Sequence, residues 1–324
     1  MPQHNHSGSP GAEDGTQRFL DDALAGLSAP VRQLPPKYFY DDAGSRLFDQ
    51  ICELPEYYVT RTELGILQAS AHAMGRALGP GTLLIEPGSG SSAKVGLVLE
   101  QLAEPAGYVP VEISGDHMLE NLEPLRRRFP DLEILPVCAD FTAPFTLPQS
   151  SRAARRRVVF FPGSTIGNFP PGAAIDLLRG FHDLVGAGGA VLLGTDLRKS
   201  PDVLIPAYDD SAGITAAFNR NLLHRMQRDL GATLNPDGFQ HRAVWNDAES
   251  RIEMHLVSLG EQRITLAGTH FDFAPGEPIV TEYSYKYTPE RLTDIAGQAG
   301  FRIEETWTDD QEWFSEQLLV RNMA

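Results

Sequence analysis

The feature that most constrains this chain is the stretch from Thr82 to Lys94, TLLIEPGSGSSAK. Residues 82–85 are short, apolar or β-branched, and flat enough for a buried strand that Glu86 closes. A turn of proline, glycine and serine follows, and from Ser91 onward apolar residues recur at helical spacing. A strand, a glycine turn and a helix in this order form the usual cradle for a nucleotide-bearing cofactor, because the backbone can approach the ligand and the helix N-terminus offers free N–H groups.

The glycine turn alone fits two kinds of cofactor. Gly88, Gly90 and Ala93 satisfy the dinucleotide fingerprint G-x-G-x-x-G/A, which indicates a nicotinamide-dependent oxidoreductase. Glu86 favours S-adenosylmethionine instead, because an acidic residue just before a G-x-G turn is typical of sites for that cofactor. That cofactor carries a positive sulfonium and an amino group, whereas a pyrophosphate would gain nothing from a carboxylate there.

Alternating strands and helices continue after the turn and are typical of a doubly wound sheet. The predicted strands lie at 108–113, 132–137, 157–162 and 190–196. Near the C-terminus a helix around Asp294 precedes two more strands, at 301–307 and 317–321. The sequence therefore predicts a Rossmann-like class I methyltransferase sheet of seven strands with the last pair antiparallel, a pair that a nicotinamide fold would not require.

The alternation stops after residue 196, which predicts a second domain. A helix at 213–230 is followed by the runs HRAVWN, RIEMHLVSL and QRITLAG, which indicate an antiparallel meander. The first residues are rich in Gly, Ser, His and Pro, which is typical of a disordered tail. The predicted organisation is a disordered tail at 1–17, an S-adenosylmethionine-binding methyltransferase domain at 62–196 and 288–324, and an α+β substrate-binding domain at 18–61 and 197–287.

Charge and cysteine content limit the partners. The chain has 27 Lys and Arg against 43 Asp and Glu, a net charge of −16, which repels phosphate backbones and argues against a nucleic-acid partner. The only cysteines, Cys52 and Cys138, provide no metal-binding spacing, so no metal is expected, and they fit a reducing cytoplasm. The sequence lacks a run long enough to span a membrane and a signal-peptide core. We expect a cytoplasmic monomer that acts on a small molecule.

Several polar residues fall where an open α/β sheet binds its ligands, at the carboxyl ends of strands. Glu112 follows the glycines by some twenty residues, where a carboxylate accepts hydrogen bonds from a ribose. Asp140 and Phe141 follow the third predicted strand and could hold an adenine by its edge and its face. Asn168, in the loop GSTIGNFP, has donors and acceptors suited to a carboxylate or an amine.

Two further segments allow both a structural and a ligand-binding interpretation. The aromatic-rich segment 34–63 either covers a hydrophobic core or lines a substrate pocket. In TEYSYKY, alternation places Glu282, Ser284 and Lys286 on one face of a strand, which is either solvated or holds a ligand.

From about Leu34 to the C-terminus, the chain resembles the L-histidine Nα-methyltransferases of the ergothioneine pathway. The resemblance is carried by LPPKYFYDDAGSRLFDQI, LPEYYVTRTE, EPGSGSSAK, FPGSTIGNFP, LLGTDLRK, AYDDSAGITAAFNRN, RIEMHL and TEYSYKY. It implies an enzyme that uses S-adenosylmethionine to methylate the α-amine of L-histidine three times, through the mono- and dimethyl forms, to hercynine, the first step of ergothioneine biosynthesis.

The resemblance also implies roles for individual residues. Those that would hold the imidazole are Tyr57, Glu282 and Ser284, and those that would hold the carboxylate are Asn168 and Tyr208. Those that would shape the space around the reacting amine are Tyr40, Phe48, Gly163 and Met254. Those that would bind the cofactor are Gly88, Lys94, Glu112, Asp140 and Phe141, to which the turn itself adds Glu86 and Gly90.

The chain departs from the family pattern at two positions. Pro87 stands where leucine is common and removes one N–H from the turn. Glu112 stands where aspartate is common and, one methylene longer, should still reach a ribose. Three alternatives stay open from the sequence: an N-methyltransferase for another amino acid, an NAD-dependent oxidoreductase, and a cofactor-binding partner subunit without turnover.

Overall fold

The computed structural model describes residues 10–90, 92–113 and 115–322. They divide into two compact units: unit 1 contains the described residues up to Tyr58 together with Ser200–Ser284, and unit 2 contains Val59–Lys199 and Tyr285 onward. These junctions lie close to those predicted at 61–62, 196–197 and 287–288. The assignment of the units to substrate and cofactor stays a prediction.

Helices and strands are numbered along the chain. The helices are α1 (Pro10–Ser28), α2 (Asp42–Glu53), α3 (Tyr58–Leu78), α4 (Ser92–Leu99), α5 (Gly115–Arg128), α6 (Pro171–Val185), α7 (Pro201–Tyr208), α8 (Ile214–Leu230) and α9 (Pro289–Gln298). The strands are β1 (Thr82–Pro87), β2 (Gly107–Glu112), β3 (Val137–Cys138), β4 (Arg156–Phe161), β5 (Ala190–Asp196), β6 (Phe239–Asn246), β7 (Arg251–Ser258), β8 (Gln262–Leu266), β9 (Thr269–Phe273), β10 (Pro278–Tyr285), β11 (Phe301–Thr308) and β12 (Phe314–Arg321). None of the described helices is long and apolar enough to cross a membrane.

Within its described residues, unit 2 has one seven-stranded sheet in the order β11-β12-β5-β4-β1-β2-β3. The central strands are parallel, and Ile85 of β1 lies opposite Val109 of β2 and Val159 of β4. All three side chains are fully buried, as the continuous apolar runs of parallel strands require. β12 pairs antiparallel with both β5 and β11. The predicted seven-strand layout with an antiparallel last pair is confirmed.

The third strand is shorter than predicted. Residues 132–137 were expected to form it, but β3 covers only Val137–Cys138, and before it only an isolated bridge joins Ile134 to Tyr108 among the described residues. Pro136 explains the difference, because proline has no N–H to donate to a neighbouring strand.

Unit 1 combines helices with two small sheets in its described part. One sheet has the order β10-β7-β6, and β8 pairs with β9 in the other. The predicted meander is therefore wrong for its third run, QRITLAG, which is β8 with its following turn. β10 occupies the free edge of β7, so β8 turns back on β9 instead.

The N-terminal helix also differs from the sequence prediction. α1 begins at Pro10, so residues 10–17, which the sequence assigns to a disordered tail, are helical. Phe19, Ala23 and Leu27 recur every four residues and are buried, which anchors this helix in unit 1. Residues 1–9 of the predicted tail lie outside the described residues.

Candidate functional site

In unit 2 the predicted cofactor residues lie at the carboxyl ends of adjacent strands. Glu86 lies near the end of β1 and Gly88 directly follows it, Glu112 ends β2, and Asp140 and Phe141 follow β3. The amide of Gly88 donates to the carbonyl of Val111 at 2.8 Å, which ties the turn to β2. The sheet order therefore gathers at one edge three segments that are far apart in sequence, at the position where open α/β sheets bind ligands.

The turn requires glycine at its first position. Gly88 has a φ of 69°, and a Cβ there would stand 3.3 Å from the ring of Phe141. A side chain here would be strained by the backbone conformation and crowded by the aromatic ring. Gly90 is exposed, with open space where a Cβ would be.

Ser89, between the two glycines, is a residue that the sequence interpretation did not single out. It is buried, and its hydroxyl has no hydrogen-bond partner among the described residues. A buried hydroxyl needs such a partner. The bare glycine backbone and this hydroxyl suit a polar ligand such as S-adenosylmethionine, so the residues present fit the cofactor that the sequence predicts.

Glu86 is in a different state from the one the sequence suggests. Its side chain is buried and accepts a hydrogen bond from the phenol of Tyr108. Burial raises the pKa of Glu86 to about 8, although Tyr108 and Lys94 act in the opposite direction. Glu86 is therefore mainly protonated at neutral pH, whereas the sequence argument relied on a carboxylate.

Glu112, Asp140 and Asn168 are all partly buried. One carboxylate oxygen of Glu112 accepts the amide of the next residue at 2.8 Å, and Oδ1 of Asp140 accepts the amide of Thr142 at 2.9 Å. These contacts fix both side chains near the ends of their strands. Asn168 ends a short 3-10 turn, Thr165–Asn168, which follows β4.

Lys94 and Gly163 are brought together by Glu63 of α3. Glu63 accepts the Gly163 amide at 2.6 Å through Oε1 and contacts Nζ of Lys94 at 2.5 Å through Oε2. The Glu63 side chain is fully buried. The sequence interpretation assigns no role to Glu63, although this residue ends LPEYYVTRTE, one of the segments that carry the family resemblance.

In unit 1, residues predicted to hold the substrate come from three distant segments. Tyr57 precedes α3, Tyr208 ends α7, and Ser284 lies in β10. The hydroxyls of Tyr208 and Ser284 are 2.8 Å apart, and the rings of Tyr57 and Tyr208 meet edge to face at 6.2 Å. Burial raises the pKa of the Tyr57 phenol well above its ordinary value, and Tyr208 and Glu282 add to that rise. The four predicted residues therefore form one cluster.

The aromatic residues of the segment 34–63 also pack together in unit 1. That they line a substrate pocket stays a prediction. The rings of Tyr40 and Phe48 pack edge to face at 5.6 Å, and Phe48 lies 6.2 Å from Tyr57. Phe218 of α8 contacts both Tyr40 and Phe48, at 5.8 and 6.0 Å, and was missed from the sequence. The sequence feature that could have identified Phe218 is its position on the apolar face of the helix predicted at 213–230.

Met254 and the backbone of Tyr208 are held by the sheet of unit 1. Met254 of β7 is buried, and its carbonyl accepts the hydroxyl of Thr281 at 3.0 Å. Nε2 of His241 lies 2.7 Å from the Tyr208 carbonyl, and Nδ1 lies 2.8 Å from the amide nitrogen of Asn219. Burial lowers the pKa of His241, so its neutral ring donates to Tyr208 through Nε2 and accepts from Asn219 through Nδ1.

Comparison with known families decides what kind of protein has these features. The model of a family described as histidine-specific, SAM-dependent methyltransferases matches residues 19–321. The chain belongs to this family. Its cofactor is therefore S-adenosylmethionine, which settles the choice that the glycine turn left open, and the protein is a methyltransferase.

Relatives of this methyltransferase cover nearly its whole length. It is 40% identical to the histidine N-alpha-methyltransferase of Mycolicibacterium smegmatis, over 96% of this chain and 97% of the relative. The enzyme of the same description from Mycobacterium tuberculosis is 39% identical with the same coverage. Ergothioneine biosynthesis protein 1 of Neurospora crassa is 28% identical over 90% of this chain and 34% of that longer protein.

Proposed function

We propose that this protein transfers three methyl groups from S-adenosylmethionine to the α-amine of L-histidine, forming hercynine in the first step of ergothioneine biosynthesis. The observation that carries the proposal is the 40% identity to a histidine N-alpha-methyltransferase over 97% of that enzyme. The side-chain cluster in unit 1 supports it, because its polar groups suit an amino acid with a polar ring.

Glu282 and Ser284 would select the imidazole. They alternate along β10, so they project from the same face of the strand. A carboxylate and a hydroxyl can satisfy both imidazole nitrogens of histidine. A substrate with an apolar side chain would leave the carboxylate and the hydroxyl unpaired. Sites of this kind can reject the wrong ligand by roughly 10⁴-fold. Tyr57 would pack beside the ring, and Tyr208 and Asn168 would bind the substrate carboxylate.

S-adenosylmethionine, when bound, would supply an electrophilic methyl group. The lone pair of the amine nitrogen would form the new C–N bond, and the electron pair of the broken C–S bond would stay on the sulfur. The amine must be neutral, because an ammonium has no lone pair. A free α-amine has a pKa near 8, so deprotonation near neutrality costs only about 1 kcal/mol. We therefore assign no dedicated base, and water accepts the proton. The main contribution of the protein is to hold amine and methyl carbon close and aligned.

The aromatic residues in unit 1 would accommodate the growing methylammonium. The rings of Tyr40 and Phe48 pack edge to face. They would lie beside a group that becomes a permanent cation after the third transfer. Aromatic rings attract such cations and tolerate their bulk. Met254 and Gly163 would limit the remaining space around the nitrogen.

The cofactor would be bound by the strand-end residues of unit 2. Gly88, Gly90 and Ser89 would line its path along the turn, and Lys94 would bind its carboxylate. Glu112 would accept hydrogen bonds from the ribose, Asp140 with Phe141 would hold the adenine, and Glu86 would contribute to the site from the end of β1. We also propose that the protein acts as a cytoplasmic monomer without nucleic-acid or membrane partners.

The proposal is tested by mass spectrometry of a reaction that contains purified protein, S-adenosylmethionine and an equimolar mixture of the common amino acids. We expect trimethylated histidine as the main product, with monomethyl and dimethyl forms at early times. Preferential methylation of another amino acid would support the alternative N-methyltransferase. Tight cofactor binding with no methylated product would support a subunit without turnover.

A further inference from the structure

Glu63 is a fully buried carboxyl group that joins two predicted parts of the site in unit 2. Its two oxygens contact the ammonium of Lys94 at 2.5 Å and the amide of Gly163 at 2.6 Å. Gly163 has a φ of 76°, and a Cβ there would stand 3.4 Å from the Lys94 nitrogen. Glu63 therefore holds the lysine ammonium directly against the turn that follows β4.

A second buried carboxyl group faces Glu63. Glu316 of β12 is fully buried, and a Cβ at Gly194 of β5 would stand 2.5 Å from Oε1 of Glu63 and 3.0 Å from Oε1 of Glu316. Both carboxyl groups thus lie over the same glycine. Burial, and then the nearby charge of Glu63, raise the pKa of Glu316 well above its ordinary value.

The charges of this cluster balance when Glu316 is protonated, the form that its burial favours. The pair then carries a single negative charge, which the ammonium of Lys94 neutralises, as an enclosed ion pair requires. Glu86 at the end of β1 also faces Lys94 and Glu63, and near neutral pH it is mainly uncharged. Ionisation of Glu316 would place a second negative charge beside Glu63 and disturb the arrangement.

We propose that Glu63 is a positioning residue for the cofactor: it fixes Lys94 and the Gly163 amide in one arrangement for S-adenosylmethionine. This inference rests on the proposed function, which assigns Lys94 to the cofactor and Gly163 to the reacting amine. We assign neither carboxyl group to the reacting atoms. Glu63 acts through the two residues that it contacts, and Glu316 acts through Glu63.

The test is titration calorimetry of S-adenosylhomocysteine with wild-type protein, Glu63→Gln, Glu316→Gln and Glu305→Gln, each shown to be folded by circular dichroism. Glutamine keeps the size of Glu63 but removes the charge opposite Lys94. Because hydrogen bonds to charged groups are the stronger ones, we expect affinity to fall roughly tenfold or more. Glu305 is an exposed residue of β11, and its variant is the matched control, with affinity unchanged.

The pH dependence separates positioning from a purely structural role. Wild-type affinity should fall as alkaline pH ionises Glu316, whereas Glu316→Gln keeps a neutral hydrogen-bonding group and lacks this component. The amine of S-adenosylhomocysteine titrates in the same way with both proteins. The ratio of the wild-type affinity to the Glu316→Gln affinity therefore reports the ionisation of Glu316. This comparison also decides the question if Glu63→Gln fails to fold.

Equal affinities for wild type, Glu63→Gln and Glu305→Gln would overturn the inference, as would a pH-independent ratio between wild type and Glu316→Gln. Wild-type protein that binds S-adenosylhomocysteine but forms no methylated histidine would refute the proposed function while the binding comparison still judges Glu63. Wild-type protein that binds no S-adenosylhomocysteine would contradict the inference together with the cofactor site.

Discussion

The sharpest stability prediction concerns a buried ion cluster in unit 2. One oxygen of Asp196 contacts Nζ of Lys286 at 2.6 Å, and the other contacts Nζ of Lys199 at 2.5 Å. The Asp196 and Lys286 side chains are fully buried, and that of Lys199 is 6% exposed. Burial alone would raise the pKa of Asp196, but Lys286 and Lys199 together bring it below its ordinary value.

Lys286→Met should destabilise the protein strongly. Methionine replaces most of the lysine stem and removes the ammonium of Lys286, while the contact between Asp196 and Lys199 remains. Breaking a buried ion pair by removing one partner typically costs 3–5 kcal/mol, and we expect about 3 kcal/mol because Lys199 remains. The control is Arg302→Met, which removes an ion pair of the same 2.6 Å length between half-exposed side chains and should cost less than about 1 kcal/mol.

Urea unfolding of the two variants and the wild type measures this difference, with unchanged slopes as the check on comparability. The ion cluster also predicts a pH dependence. Because the pKa of Asp196 is lowered by folding, its contribution is present above the ordinary carboxyl pKa near 3.8 and is lost as pH falls through the lowered value. If Lys286→Met costs no more than Arg302→Met at pH 7, the reasoning from burial is wrong.

Three further predictions concern the two sites. Glu282→Ala should abolish most binding of L-histidine measured by calorimetry, because an imidazole nitrogen loses its partner. The affinity for S-adenosylhomocysteine should stay within about twofold. A parallel loss of affinity for both ligands would contradict the imidazole role. Gly194→Ala should weaken S-adenosylhomocysteine binding without affecting L-histidine, because its methyl would meet Oε1 of Glu63 at 2.5 Å; unchanged affinity would show that the carboxyl pair tolerates displacement. Folding raises the pKa of Glu86 from 4.5 to about 8, so its contribution is fully present below pH 4.5 and is lost as pH rises towards 8. The free energy of unfolding of Glu86→Gln, measured by urea titration, should therefore rise relative to that of the wild type across this pH range. If the two free energies change with pH in parallel, the raised pKa of Glu86 is wrong.

Much of the fold follows from local sequence patterns. The central strands of unit 2 are short apolar runs bounded by glycine and proline, and β5 was predicted with its observed bounds, 190–196. The predicted length of the third strand was too great, because the prediction followed the hydrophobic residues and did not account for the missing N–H of Pro136. The pairing of β8 depends on which edge β10 occupies, and a local pattern carries no such information.

The family segments located the candidate residues, but not the contacts that support them. Glu63, Lys94, Gly163 and Glu316 are far apart in sequence, and only the sheet order brings them together. Lys286 was expected on one strand face with Glu282 and Ser284. It lies just beyond the end of β10 and is fully buried in the ion cluster, a placement that alternation cannot predict.

The most direct test of the central claim is to locate the transferred methyl groups. Purified protein is incubated with L-histidine and S-adenosylmethionine carrying a ¹³C-labelled methyl group, and the product is examined by fragmentation mass spectrometry and NMR. We predict three labelled methyl groups, all on the α-nitrogen, with an unmodified imidazole. Label on a ring nitrogen, or unlabelled histidine recovered from protein that binds the cofactor, would contradict the account.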